Sequence, residues 1–111
     1  MSTLSGNDEI LLLTVLALRE NAYGVTIMQH LTSLTKREWS IGAIYDPLHR
    51  LEKSGLVRSE LTSPTPERGG RSKRVYQVTE DGLEALRRHR EVRRELTRGV
   101  PDTAPDTGTK S

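Results

Sequence analysis

Between Ser40 and Thr79 the chain carries two pieces side by side, SIGAIYDPLHRLEKSGLV and, a few residues on, PERGGRSKRVYQVT. The first has helical spacing and a glycine stop. The second is a basic, glycine-tipped hairpin candidate. This order constrains the fold more than any other feature, because each piece limits what the other can be.

In the first piece Ser40 is a good N-cap. Ile41, Ile44, Leu48 and Leu51 stack on one face. Gly42, Asp46, His49 and Lys53 lie on the opposite face, with Ala43 and Arg50 flanking them and Tyr45 at the edge. Gly55 suits the left-handed position after a helix. Asp46-Pro47 allows two readings. A proline inside a helix removes one hydrogen bond and disfavours helical geometry at the residue before it. Either the helix continues from Ile41 with a slight bend, which is the favoured reading, or it restarts with Asp46 as cap and Pro47 in its first turn.

The flanking segments supply a scaffold. A first helix is expected over about Ser5–Glu20, capped by Asn7 or Asp8 and apolar all round through Ile10, Leu11, Leu12, Leu13, Val15, Leu16 and Leu18. Such a helix buries more than one side, and another protomer can supply the second. A second helix over about Tyr23–Leu34 carries the stripe Val25, Ile27, Met28, Leu31 and Leu34. Strands are expected over Leu56–Leu61 and Arg74–Thr79, joined by the loop Thr62–Lys73. Thr79 caps a fourth helix over Glu80–Arg98, with Leu83, Leu86, Val92 and Leu96 as a narrow apolar stripe. The sequence therefore predicts a mostly α fold with a two-stranded β-wing: a winged helix-turn-helix over 5–79, a C-terminal helix over 80–98, and a disordered tail over 99–111.

Composition sharpens this. With 111 residues, no Phe, one Trp and three Tyr, the core is small and aliphatic, and oligomerisation is a common remedy for small cores. Cysteine is absent, which removes disulfides and thiolate metal sites and fits a cytoplasmic location. The apolar run Ile10–Leu18 is far shorter than the roughly 20 residues of a membrane span, so no membrane association is expected. The net charge is only +2, but its distribution is uneven. Residues 1–35 carry one base and three acids, whereas residues 36–76 carry nine bases and five acids. The positive charge thus gathers on the third helix and the wing, where phosphates of double-stranded DNA would lie.

A helix of this kind fits the major groove, with Ser40 and Ala43 at its close-approaching start and Tyr45, His49, Arg50 and Lys53 as contact candidates. Arg68, Arg71, Lys73 and Arg74 are the wing candidates for the backbone or the minor groove. Asp46 would repel phosphate unless it accepts from a cytosine amino group. The competing readings are weaker. His30, His49 and His89 fall on three helices without metal-ligand spacing, and no nucleophile or phosphate-loop motif is present, so neither enzyme, metal nor cofactor is expected. A winged helix used only for protein–protein contacts is the alternative function.

The stretches LLLTVLALRENAYGVTIMQHL, GAIYDPLHRLEKSGLV and GGRSKRVYQVTEDGLEAL together resemble the PadR family of transcriptional regulators, over about residues 8–98. The most specific elements are Gly42-x-x-Tyr45, Leu48, Arg50-Leu51-Glu52, Gly55-Leu56, and Arg74-x-Tyr76-x-x-Thr79-x-x-Gly82. The resemblance implies a repressor that binds a pseudo-palindromic operator as a homodimer. In that picture the C-terminal helix of one protomer packs with the first helix of the other, giving Leu11, Leu12, Leu83, Leu86 and Leu96 as interface candidates. The family often has proline directly after the tyrosine, whereas here Asp46 intervenes. The single C-terminal helix resembles the short form of the family. Some members respond to small aromatic or hydrophobic effectors, for which Trp39 is the candidate contact, the other reading being that Trp39 packs between the second and third helices.

Overall fold

The computed structural model describes residues 4–62 and 72–101. Among these the order is α1 (Gly6–Leu18), a 3-10 turn (Arg19–Asn21), α2 (Gly24–Thr35), α3 (Ile41–Lys53), β1 (Val57–Leu61), β2 (Arg74–Val78) and α4 (Glu80–Arg98). The mostly α architecture with a β-wing is as the sequence predicts. Arg68, Arg71 and the tail from residue 102 onward lie outside the described residues.

The start of α1 differs from expectation. Its cap is Ser5, not Asn7 or Asp8. Ser5 Oγ accepts from the Asp8 N–H at 3.0 Å, and the Asp8 carboxylate accepts from the Ser5 N–H at 3.2 Å. Asp8 is thus the third residue of a reciprocal capping box, a role that a short acidic side chain can fill as well as a cap. Ser40 and Thr79 cap α3 and α4 as expected, through the Ala43 and Gly82 N–H groups. The helix α3 is continuous through Asp46 and Pro47. Pro47 has no N–H, so the Ala43 carbonyl lacks its usual helical donor while flanking turns hold the helix together.

The core is built from Leu11, Leu12 and Val15 of α1, Ile27 and Leu31 of α2, Ile44, Leu48 and Leu51 of α3, and Val57, Tyr76 and Leu86. Trp39 joins the same cluster, and apart from it and Tyr76 the core is aliphatic, as the composition requires. The strands pair antiparallel, Val57 opposite Val78 and Leu61 opposite Arg74. A feature absent from the sequence reading is the short bridge from Ala22-Tyr23 to β2. Tyr76 N–H donates to the Ala22 carbonyl at 2.8 Å, and Tyr23 pairs with Val75. The wing is thereby anchored to the turn between α1 and α2.

Two close junctions fix the outer elements. Gly55, at φ +82°, ends α3, and its carbonyl accepts from Thr79 Oγ1 at 2.6 Å. The Leu56 carbonyl accepts from the Thr79 N–H at 3.0 Å. The end of α3 and the start of α4 therefore share one hydrogen-bonded corner.

Candidate nucleic-acid interface

Tyr45, Asp46, His49, Glu52 and Lys53 of α3 line an open groove together with Arg74 and Tyr76 of β2. Helical geometry explains the α3 half. With Ile44, Leu48 and Leu51 turned into the core, Asp46, His49 and Lys53 must face outward. The β2 half follows from alternation: Arg74 and Tyr76, two positions apart, share the face toward the groove, Arg74 exposed and Tyr76 buried, while Gln77 points to the other face.

A polar chain ties the two halves. Glu52 Oε2 accepts from Ser59 Oγ at 2.8 Å, and Ser59 Oγ accepts from Arg74 Nη1 at 3.0 Å. This fixes Arg74 across the groove from His49 and Lys53. Tyr76 forms part of the floor. Burial above all, with Tyr45 and Glu52 adding to it, raises its phenol above the ordinary tyrosine range, against a smaller opposing pull from Arg74. The phenol is neutral at physiological pH.

Tyr45 lies across the start of α2. A Cβ built on Gly24 would fall 1.8 Å from the Tyr45 hydroxyl oxygen, so the absence of a side chain at Gly24 is what admits the ring. Lys73 places its Nζ 4.0 Å from the centroid of the Tyr23 ring, a cation–π contact at the base of the wing. The wing is closed at that base, where the Thr62 N–H donates to the Lys73 carbonyl at 2.7 Å and the Lys73 N–H to Thr62 Oγ1 at 3.1 Å. Ser40 and Ala43 are exposed at the start of α3, the Ser40 hydroxyl being occupied by the cap. Asp46 is exposed on the groove face and has no ion-pair or hydrogen-bond partner among the described residues.

Arg50 is placed differently from the other outward residues of α3. It does not line the groove with its α3 neighbours. Its guanidinium is spent on Asp8, Nη2 to Oδ1 at 2.9 Å and Nη1 to Oδ2 at 3.4 Å. Burial pushes the Asp8 carboxyl upward, but the bonds from Arg50 and Ser5 together outweigh it and hold the group below its ordinary range. The partners are 42 positions apart in the chain, which no local pattern reveals.

The interface leucines divide. Leu11 and Leu12 are fully buried and Leu86 is 4% exposed within a single chain, so they are core and have no surface left for a partner. Leu83 and Leu96 are exposed, at 47% and 69%. The sequence reading omitted Leu13 and Leu16 of α1 from its interface set, and these two are also exposed. Periodicity around an all-apolar helix gives no means of telling the outward leucines from the inward ones. Trp39 packs into the core, its indole N–H donating to Thr35 Oγ1 at 3.0 Å and Arg37 covering a ring face at 4.3 Å. Trp39 thus packs against its own chain, as the packing reading has it. Among the described residues no group of metal-ligating side chains comes together, and no helix is long and apolar enough to cross a membrane.

The arrangement has relatives. Transcriptional regulator Rv3488 of Mycobacterium tuberculosis is 43% identical over 61 residues, covering 55% of this chain and 53% of that protein. The match thus spans about half the length of that relative. Among solved structures, a PadR-like transcription factor from Bacteroides fragilis superimposes with a TM-score of 0.66 at 26% identity, covering 81% of this chain and 82% of the other. A PadR family transcriptional regulator from Eggerthella lenta gives 0.64 at 28% identity, covering 81% and 76%. The family model described as the transcriptional regulator PadR-like family matches residues 12–88. With that match spanning helix-turn-helix, wing and the first half of α4, the chain belongs to the PadR-like family of transcriptional regulators.

Proposed function

We propose that this regulator acts as a repressor, binding an inverted-repeat operator as a homodimer. The helix α3 enters the major groove, and the wing grips the backbone or the neighbouring minor groove. The observation that carries the reading is the shared groove in which His49 and Lys53 of α3 face Arg74 of β2. A helix and a cationic strand held at fixed separation suit one groove and its phosphate rail. Tyr45, His49 and Lys53 are the proposed α3 contacts, Ser40 and Ala43 the close-approaching end, and Lys73 and Arg74, with Arg68 and Arg71 of the outer wing, the phosphate contacts.

The exposed Leu13 and Leu16 of α1, with Val92 and Leu96 of α4, support the dimer. Their burial against a second copy would remove apolar surface that one chain leaves in water. A two-fold dimer presents two α3 helices, so the half-sites should lie about one helical turn apart, ~34 Å. Footprinting on DNA upstream of the protein's own gene tests the reading. Protection of two related, oppositely directed half-sites is expected, and a reporter downstream of them should rise when the gene is deleted. Protection of a single half-site or of none would reject the operator model.

A further inference from the structure

Among the described residues, Asp8 and Glu9 are the charged residues that are buried, and they are adjacent. They bind different elements. Asp8 holds Arg50 of α3. Glu9 Oε1 accepts from Arg93 Nη1 of α4 at 2.8 Å and lies 3.4 Å from Nε2 of His89. Burying a carboxylate is unfavourable even when it is paired, and apolar side chains of similar volume are often at least as stabilising. What such pairs give that leucine does not is a defined relative placement of the elements they join.

That placement is needed at α4. Its first turns are fixed by Gly82 and Leu86, but from Arg90 onward every described residue is exposed. Among the described residues, Arg93 is therefore the farthest point along α4 with a side-chain bond to another element. At about 1.5 Å per residue, Leu96 lies about 21 Å along the axis from Gly82. A tilt of about 5° there moves Leu96 by about 2 Å. Two-fold symmetry roughly doubles the change between protomers, to about the 3.4 Å of one base step.

We propose that Asp8 and Glu9 form a clamp that sets operator spacing: Asp8 fixes the reading helix through Arg50, and Glu9 fixes the dimer helix through Arg93. Arg50 and Arg93 are then positioning residues that touch no DNA. The inference rests on the dimeric operator reading above.

The test uses the full chain and a series of duplexes carrying the footprinted half-sites at separations varied one base pair at a time. The wild type should prefer one separation, losing about tenfold in affinity for a one-base-pair change. Arg93→Met and Arg50→Met should flatten that profile to within about threefold while the salt dependence of binding stays unchanged. Arg93→Lys, which keeps the charge opposite Glu9, should restore most of the preference. Both arginine side chains are more than half exposed, so neither change leaves a core cavity, and melting curves establish that the variants are folded. Flattened profiles with an unchanged salt slope support the clamp. Variants that keep the wild-type spacing profile overturn it, as does uniform loss at all spacings with a salt slope smaller by about 1, which would make these arginines phosphate contacts. A wild type indifferent to spacing overturns the dimeric operator reading itself, and the clamp with it.

Discussion

Gly82 of α4 rests directly on the Leu56 carbonyl: a Cβ at Gly82 would stand 2.2 Å from that oxygen and 2.6 Å from Val78 Cγ1. The oxygen is backbone and already accepts from Thr79, so it cannot yield. Gly82→Ala should therefore destabilise the fold by about 1–3 kcal/mol, despite the better helix propensity of alanine. A urea titration measures this, and an unchanged midpoint would mean that α4 sits farther from Leu56 and Val78.

The Asp8–Arg50 pair carries a pH signature. A carboxyl held below its ordinary range contributes stability that is full above the unfolded-state value and is lost as pH falls through the folded one. Asp8→Asn should cost about 1–2 kcal/mol at neutral pH. It should also shrink the acid-side loss of stability below the ordinary carboxylate range. Denaturant midpoints of both proteins across that range read the difference; parallel curves would show that Asp8 titrates alike in the folded and unfolded chain.

Lys73 and Arg74 should behave as phosphate contacts. Each alanine substitution is expected to weaken binding to operator and random duplex about equally and to reduce the salt slope by about 1. His49→Ala should instead alter which bases are preferred. Selection from a randomised duplex pool separates the two kinds of effect.

Asp46 predicts a gain. An unpartnered carboxylate on the groove face opposes phosphate, so Asp46→Ala should tighten binding to random DNA by about three- to fivefold, roughly 0.7–1 kcal/mol of relieved repulsion. If Asp46 accepts from a cytosine amino group, discrimination at one base pair of each half-site falls in the same variant. Unchanged binding to random DNA would place Asp46 away from the duplex.

Two leucines on one helix should give opposite results. Leu96 is 69% exposed and Leu86 4%. Leu96→Glu should yield a folded monomer, whereas Leu86→Glu should unfold the chain by burying an unpaired charge. Sedimentation and circular dichroism distinguish the outcomes, and a Leu96→Glu dimer would move the interface elsewhere.

The elements were legible because their signals are local. Ser40, Gly55 and Thr79 mark boundaries through caps and a left-handed turn, and the spacing of Ile44, Leu48 and Leu51 orients α3 unaided. The wing was legible from alternation around Val75 and Tyr76. What escaped depends on distance in the chain. Arg50 looked like one more outward base until its long-range partner Asp8 was in place. The leucines of α1 could not be sorted, because a helix apolar on every side has no preferred direction until its neighbours are present. The Ala22-Tyr23 bridge was too short to carry a strand pattern.

The Ala22-Tyr23 bridge also shapes the edges of the sheet. It covers part of one side of β2, while β1 covers the other. Among the described residues the sheet is left with one long open border, the outer side of β1, where Arg58 and Glu60 stand exposed. Alternating charges along such a border disfavour the addition of a foreign strand. If copies of the chain associate as proposed above, they meet through the helices rather than by backbone pairing, in contacts that can form and separate without unravelling the fold.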